Sequence, residues 1–203
     1  MTALRLEERA VRQHVPEVRV VRGGVALRTL SAATTTPVLL SIGLAGGLSP
    51  EQPAGMVVIP DRIDRQSGES WQADRAWAEA LRAAARRLEL PLADGPLVET
   101  TGVVTGVARG ELAARGYAAA DMESASIAAR AARVAAVRVI IDGPMNEISA
   151  RWRRPLAAVL DPRLWGQGFW LMRAAPVLAR RAAAVLAEAI RGEAVQGDVD
   201  PEV

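Results

Sequence analysis

Two acidic positions stand where an α/β chain places its chemistry. Asp142 ends the apolar run Arg138-Val139-Ile140-Ile141-Asp142, and Glu123 follows Ala119-Ala120-Asp121-Met122. Both runs read as short strands, and in an open α/β sheet ligands collect beyond the carboxyl ends of the strands. A carboxyl group at that edge is suited to moving a proton or to accepting hydrogen bonds from a ligand. Each residue also has a plainer reading. Asp142 is placed to cap the turn before Pro144, and Glu123 to start a helix whose dipole favours an acidic side chain.

Composition removes several other chemistries. Cysteine is absent, so thiolate nucleophiles, disulfides and Cys-ligated zinc are excluded, which fits a reducing cytoplasm. His14 is the single histidine and falls on a charged opening helix, which argues against a His-ligated metal or a Ser-His-Asp triad; no metal and no cofactor are expected. The formal net charge is only +2, although the sequence pI is near 10.2. The pI is high because every basic residue is Arg, which stays protonated to very high pH. Acidic residues are interspersed throughout, so no nucleic-acid partner is expected. The sequence holds no uninterrupted apolar stretch of a membrane-spanning length and no signal peptide.

The elements that must position the carboxylates alternate in type. Residues 4–13 predict a short charged helix and 18–21 a brief strand before Gly23-Gly24. Thr36-Pro37 leads into a buried strand at 38–42, broken at Gly43-Leu44-Ala45-Gly46-Gly47, where glycines permit a tight turn or close approach to a ligand. Strands are predicted at 56–59, 97–104, 118–121 and 137–141, and helices at 72–88, 108–115, 124–134 and 167–191, the last kinked near Pro176. Alternation of this kind predicts an α/β fold with a parallel or mixed sheet. One domain is expected over 1–191, followed by an acidic, disordered tail at 192–203.

Three segments in order carry a family resemblance. Ser41-Ile42-Gly43-Leu44-Ala45-Gly46-Gly47-Leu48, then Gly55-Met56-Val57-Val58-Ile59-Pro60, then Asp121-Met122-Glu123 with its small-residue helix resemble the purine nucleoside phosphorylase/uridine phosphorylase family. The closest branch in pattern is the nucleosidases that cleave 5′-methylthioadenosine and S-adenosylhomocysteine. The resemblance runs from about residue 4 to residue 145. It implies a three-layer fold, with a central mixed twisted sheet flanked by helices and a long C-terminal helix. It also implies a homodimer in the cytoplasm and cleavage of the N-glycosidic bond of a purine nucleoside. That bond leaves negative charge on the purine and positive charge on the sugar. Asp142 would protonate the base and must then be held protonated by burial or its partners; general acids of this kind contribute about 10²–10⁴-fold. Glu123 would accept from the ribose hydroxyls beside the developing cation, with Met122 as an apolar wall. Ala45, Gly46 and Thr105 complete the implied substrate contacts. Glu7 falls where the nucleosidases hold the attacking water, with Glu8 as its rival; phosphate is the alternative nucleophile. Ile141 stands where the family usually has Ser, removing one hydrogen bond to Asp142. The family's strand before the first glutamate would be almost absent, since the chain opens at Met1-Thr2-Ala3.

A narrower resemblance lies toward the end. Arg153-Arg154-Pro155, Asp161-Pro162, the long Arg/Ala/Leu helix after Trp165, and Val104-Thr105 with Glu111-Leu112 look like the hopanoid-associated phosphorylases, which are thought to act on adenosylhopane. Trp165, Phe169, Trp170, Leu171 and Met172 would then face a lipid-tailed substrate or, with Arg151, Arg153, Arg154 and Arg173, the inner membrane surface. Plain packing of this helix is the alternative use of the same residues. A silent nucleoside- or lipid-binding paralogue is the alternative to an enzyme.

Overall fold

The computed structural model describes residues 5–16, 20, 38–149, 151 and 161–197, with side chains described through 192. The strand expected at 18–21 (Val20 apart), Gly23-Gly24, Thr36-Pro37, Trp152 and Arg153-Arg154-Pro155 lie outside the described residues.

The chain forms α1 (Arg5–His14), β1 (Leu39–Gly47), β2 (Val57–Val58), β3 (Arg62–Arg65), β4 (Ser70–Gln72), α2 (Arg75–Arg87), β5 (Leu92–Ala93), β6 (Leu97–Glu99), α3 (Gly106–Ala114), β7 (Ala119–Asp121), α4 (Ser124–Ala128), β8 (Val134–Asp142) and α5 (Trp165–Gly197), the last entered through a 3₁₀ turn at Pro162–Leu164. The strands make one mixed sheet, ordered β4-β3-β6-β7-β1-β8-β2-β5. β1 runs parallel to β8 and antiparallel to β7, so the two predicted acidic strands flank the glycine-rich one.

Both faces of the central strands are buried, which is why β1 and β8 read as apolar runs rather than as alternating ones. Leu40, Ile42 and Leu44 of β1 and Val137, Val139 and Ile141 of β8 join a core with α1, α2 and α5. Leu39, Val134 and Ala136 face the other way, onto Ala125, Ile127 and Ala128 of α4. Helices therefore cover the sheet on both sides. This is the expected α/β architecture with a central mixed sheet, flanking helices and a long C-terminal helix.

Several boundaries differ from expectation, each for a tertiary reason. The helix expected over 124–134 stops at Ala128, because Val134 already pairs with Leu39 as the first residue of β8. β6 ends at Glu99 rather than 104, its carboxylate turned onto α4. Pro176 lies inside α5 without ending it, and α5 continues to Gly197, past the Gly192 where the tail was predicted to begin.

The largest difference concerns the glycines. The segment 43–47 is no turn: β1 runs through it to Gly47. Gly43 pairs in register with Arg138 and Gly46 with Asp142, so two glycines lie beside two charged residues of the neighbouring strand. A bulge makes the second pairing. Ala45 pairs with Ile140 and Gly46 with Asp142, leaving Ile141 as the extra residue. Bulges of this kind re-aim the side chain that follows.

Candidate active site

The carboxyl ends of β1, β7 and β8 and the start of α1 enclose a cavity of about 220 Å³. It is lined by Glu7, Ala45, Gly46, Met122, Glu123 and Asp142, among others. Six of the seven residues expected to form a site thus meet in one place. Thr105 does not: it is the N-cap residue of α3 and lines a neighbouring cavity with Thr101 and Glu111. Glu7 and Glu8 separate clearly. Glu7 is buried, and its Oε1 accepts from the Leu44 N–H at 3.3 Å. Glu8 lies on the outer side of α1, with Arg12 at 3.0 Å. His14 is exposed, its ring nitrogen Nδ1 2.9 Å from the Ala10 carbonyl.

Asp142 sits at one end of the cavity and is 5% exposed. Its Oδ2 accepts from Arg109 Nη2 at 2.7 Å and from the Ile148 N–H at 3.0 Å. The Arg109 guanidinium that meets this carboxylate is itself buried. The segment after Asp142 turns back through the Asn146 N–H to Gly143 carbonyl bond, which returns Ile148 to the carboxylate.

Arg138 organises the other end. A charged residue in an all-buried strand needs full compensation, and it receives it. Nε donates to Asp121 Oδ2 at 2.8 Å, Nη1 to the carbonyls of Ser41 and Val137, and Nη2 to the hydroxyls of Ser41 and Ser124. A guanidinium has five N–H donors, and all five are used. Burial opposes the charge, but Asp121 and Glu123 outweigh it and raise the guanidinium pKa. Gly43 gives clearance to Glu7 above all: a Cβ there would lie 3.1 Å from Glu7 Oε1, while Arg138 Cζ would be at an ordinary contact distance of 3.6 Å.

Asp121 is thus a structural anion rather than a ribose contact. It also accepts from the Ser124 hydroxyl and, at 3.2 Å, from the Ser124 N–H at the start of α4. The carboxyl of Glu123 is different. It is buried, lines the cavity and makes no hydrogen bond among the described residues. Burial, then the charge of Asp121, and further the charges of Glu7 and Glu99, push its pKa up to about 8 despite the opposing Arg138. A carboxyl with that pKa favours the neutral acid at neutral pH.

Arg109 and Arg138 carried no functional reading in the sequence. Arg138 had a detectable signal, a lone charge inside Val134–Asp142. Arg109 had none, since α3 is one of several Ala/Arg-rich helices.

No curated protein matches this sequence. Among solved structures, the chain is similar to the futalosine hydrolase of Helicobacter pylori strain 26695 (14% identity, TM-score 0.70, covering 94% of this chain and 95% of that one). It is also similar to the 5′-methylthioadenosine/S-adenosylhomocysteine nucleosidase of Neisseria meningitidis in complex with methylthio-immucillin-A (16% identity, TM-score 0.68, covering 94% and 96%). The corresponding Helicobacter pylori nucleosidase shows the same likeness (14% identity, TM-score 0.69, covering 94% and 96%). These likenesses concern the fold. The model of the phosphorylase superfamily matches residues 21–158, more than half of the sequence, and the chain belongs to that superfamily.

Proposed function

We propose that this protein cleaves the N-glycosidic bond of a 5′-substituted adenosine, releasing adenine, with water as the nucleophile. The observation that carries the reading is one cavity lined by Asp142, which lies against Gly46, by Glu7, which lies against Gly43, and by Met122 and Glu123. The electron pair of the C1′–N9 bond leaves with the purine as Asp142, which takes up a proton with substrate binding, passes that proton from Oδ1 to N7. Glu123, as a neutral acid, exchanges hydrogen bonds with the ribose hydroxyls, and its ionised form is favoured once positive charge builds on the sugar. Met122 supplies the apolar wall. Glu7 holds the water and takes its proton as the C1′–O bond forms.

Charge and donor supply favour water over phosphate. A phosphate dianion needs several free donors, yet every Arg138 N–H is engaged within the protein. Arg109 is the one basic residue among the described residues that line the cavity, and its Nη2 is already bound to Asp142. The experiment is adenine release from 5′-methylthioadenosine and S-adenosylhomocysteine with and without phosphate. Equal rates support hydrolysis; strict phosphate dependence refutes it. Asp142→Asn separates an enzyme, which loses most of its turnover, from a silent binding paralogue, whose affinity is unchanged.

A lipid-like 5′ substituent, as in adenosylhopane, is the finer reading we propose. Trp165, Phe169 and Met172 are exposed at i, i+4 and i+7 on α5, so they share one face. Arg173 lies 5.0 Å over the Phe169 ring. α5 connects to the cavity through Gln167, which donates to the Glu147 carbonyl at 2.8 Å and accepts from the Ser149 N–H at 2.9 Å. Val107 and Met145, on the two segments that frame Asp142, are also exposed. No helix among the described residues is long and apolar enough to cross a membrane, so contact with a bilayer would be peripheral. Trp170 and Leu171, expected on the same face, pack against the core instead, so liposome flotation with Trp165 and Phe169 replaced by Ala tests that contact, and loss of flotation is the expected result.

A further inference from the structure

We propose that Arg109 is the positioning residue for the departing base, fixing which Asp142 oxygen meets it; this rests on the nucleosidase reading above. Arg109 is 2% exposed and gathers the three segments that form the base end of the cavity. Nη1 donates to the Gly47 carbonyl at the end of β1, and Nη2 to the Val104 carbonyl at 2.9 Å and to Asp142 Oδ2 at 2.7 Å. Nε is buried without a hydrogen bond and lies 3.3 Å from Glu147 Oε1, on the segment that follows Asp142. Glu147 in turn accepts from the Gly106 N–H, the first residue of α3, at 2.7 Å.

The position of Arg109 argues for this use. It falls near the N-terminal end of α3, where the helix dipole disfavours a cation. It is held there by Asp142 and Glu147, and the arrangement fixes the carboxylate in return. With Oδ2 taken by Arg109 and Ile148, Oδ1 alone remains for a ligand, and it lies over Gly46, where no Cβ intervenes. Only a planar fork can serve Gly47, Val104 and Asp142 together; an ammonium is a point charge and cannot.

The test compares two leaving groups. Adenine needs help at N7 to depart, whereas 4-nitrophenolate, released from 4-nitrophenyl β-D-ribofuranoside, leaves without a proton. The steps are otherwise the same: the C1′ bond breaks, its electron pair leaves, and water bonds to C1′. We expect Arg109→Met to lower kcat/KM for 5′-methylthioadenosine by roughly 10²-fold, and to lower the nitrophenyl riboside rate much less. Arg109→Lys, which keeps the charge, should show the same asymmetry in weaker form. Equal losses on both substrates, or no loss on either, would overturn the proposal. Arg109→Met strands a buried carboxylate, so Arg109→Met/Asp142→Asn serves as a stability control alone, since Asp142→Asn by itself removes adenine release. If Arg109→Met alone does not fold, the decision passes to Arg109→Lys. A wild-type protein that cleaves neither substrate overturns the nucleosidase reading and this role with it. A wild type that cleaves both, followed by a symmetric loss in the variants, overturns this role alone.

Discussion

Asp142 Oδ1 lies over the backbone of Gly46, its cross-strand partner, so closely that a Cβ on Gly46 would come within 3.0 Å of it. The same Cβ would lie 3.5 Å from Arg109 Nη1. Gly46→Ala is therefore expected to displace the carboxylate rather than unfold the sheet, since the residue sits in an extended strand. Adenine release should fall by roughly 10-fold or more, because small misplacements of catalytic groups are costly. Circular dichroism should be unchanged. Wild-type activity in this variant would remove Asp142 Oδ1 from the reaction.

Glu123 makes the pH dependence of stability testable. Its pKa rises from 4.5 to about 8 on folding, through burial first and then neighbouring charge. Below 4.5 both states hold the proton. Between 4.5 and about 8 the unfolded chain releases it while the folded protein keeps it, so stability falls as pH rises through that window. Above about 8 the folded site must carry the charge. The full effect is on the order of 4 kcal/mol. Glu123→Gln should remove this slope, raising Tm relative to wild type at pH 9 but little at pH 5, while losing activity. Parallel Tm-against-pH curves for the two proteins would contradict this assignment.

Glu7 and Glu8 offer an internal control. They are adjacent in sequence, but only Glu7 lines the cavity. Glu7→Gln should lower kcat with little change in KM, and Glu8→Gln should leave both near wild type. Steady-state kinetics on 5′-methylthioadenosine checks this, and equal effects would refute the placement of the water.

Arg138 is the structural keystone of the acidic cluster. Arg138→Met would leave Asp121 buried without its ion partner, an arrangement that costs about 3–5 kcal/mol. Urea unfolding should show that loss in the midpoint. Arg138→Met/Asp121→Asn should recover part of it, since the stranded charge is gone.

The sequence made the site's edge legible for a simple reason. Buried parallel strands are continuous apolar runs, so Asp142 and Glu123 stand out as the polar residues that end or follow them. What it could not reveal was how the sheet brings charges from different strands together. Gly43 and Gly46 suggest a turn in one dimension; only the folded sheet shows them as strand residues that clear Glu7 and Asp142. Arg109 is 33 residues from Asp142 in the chain and resembles the exposed arginines around it. Likewise, the sequence holds no hint that Asp142 meets an arginine from another element, or that burial and neighbouring charge raise the Glu123 pKa. Thr105 looked like a contact by position, but as the N-cap residue of α3 it lines the neighbouring cavity.

The central claim is that water attacks C1′ of an adenine nucleoside in the cavity between Asp142 and Glu7. Turnover of 5′-methylthioadenosine in ¹⁸O-labelled water with phosphate present, followed by mass spectrometry of the sugar product, tests it directly. The expected result is free adenine with one ¹⁸O on the freed sugar, and almost none with Asp142→Asn. A sugar 1-phosphate without the label, or no adenine at all from any 5′-substituted adenosine, would contradict the account.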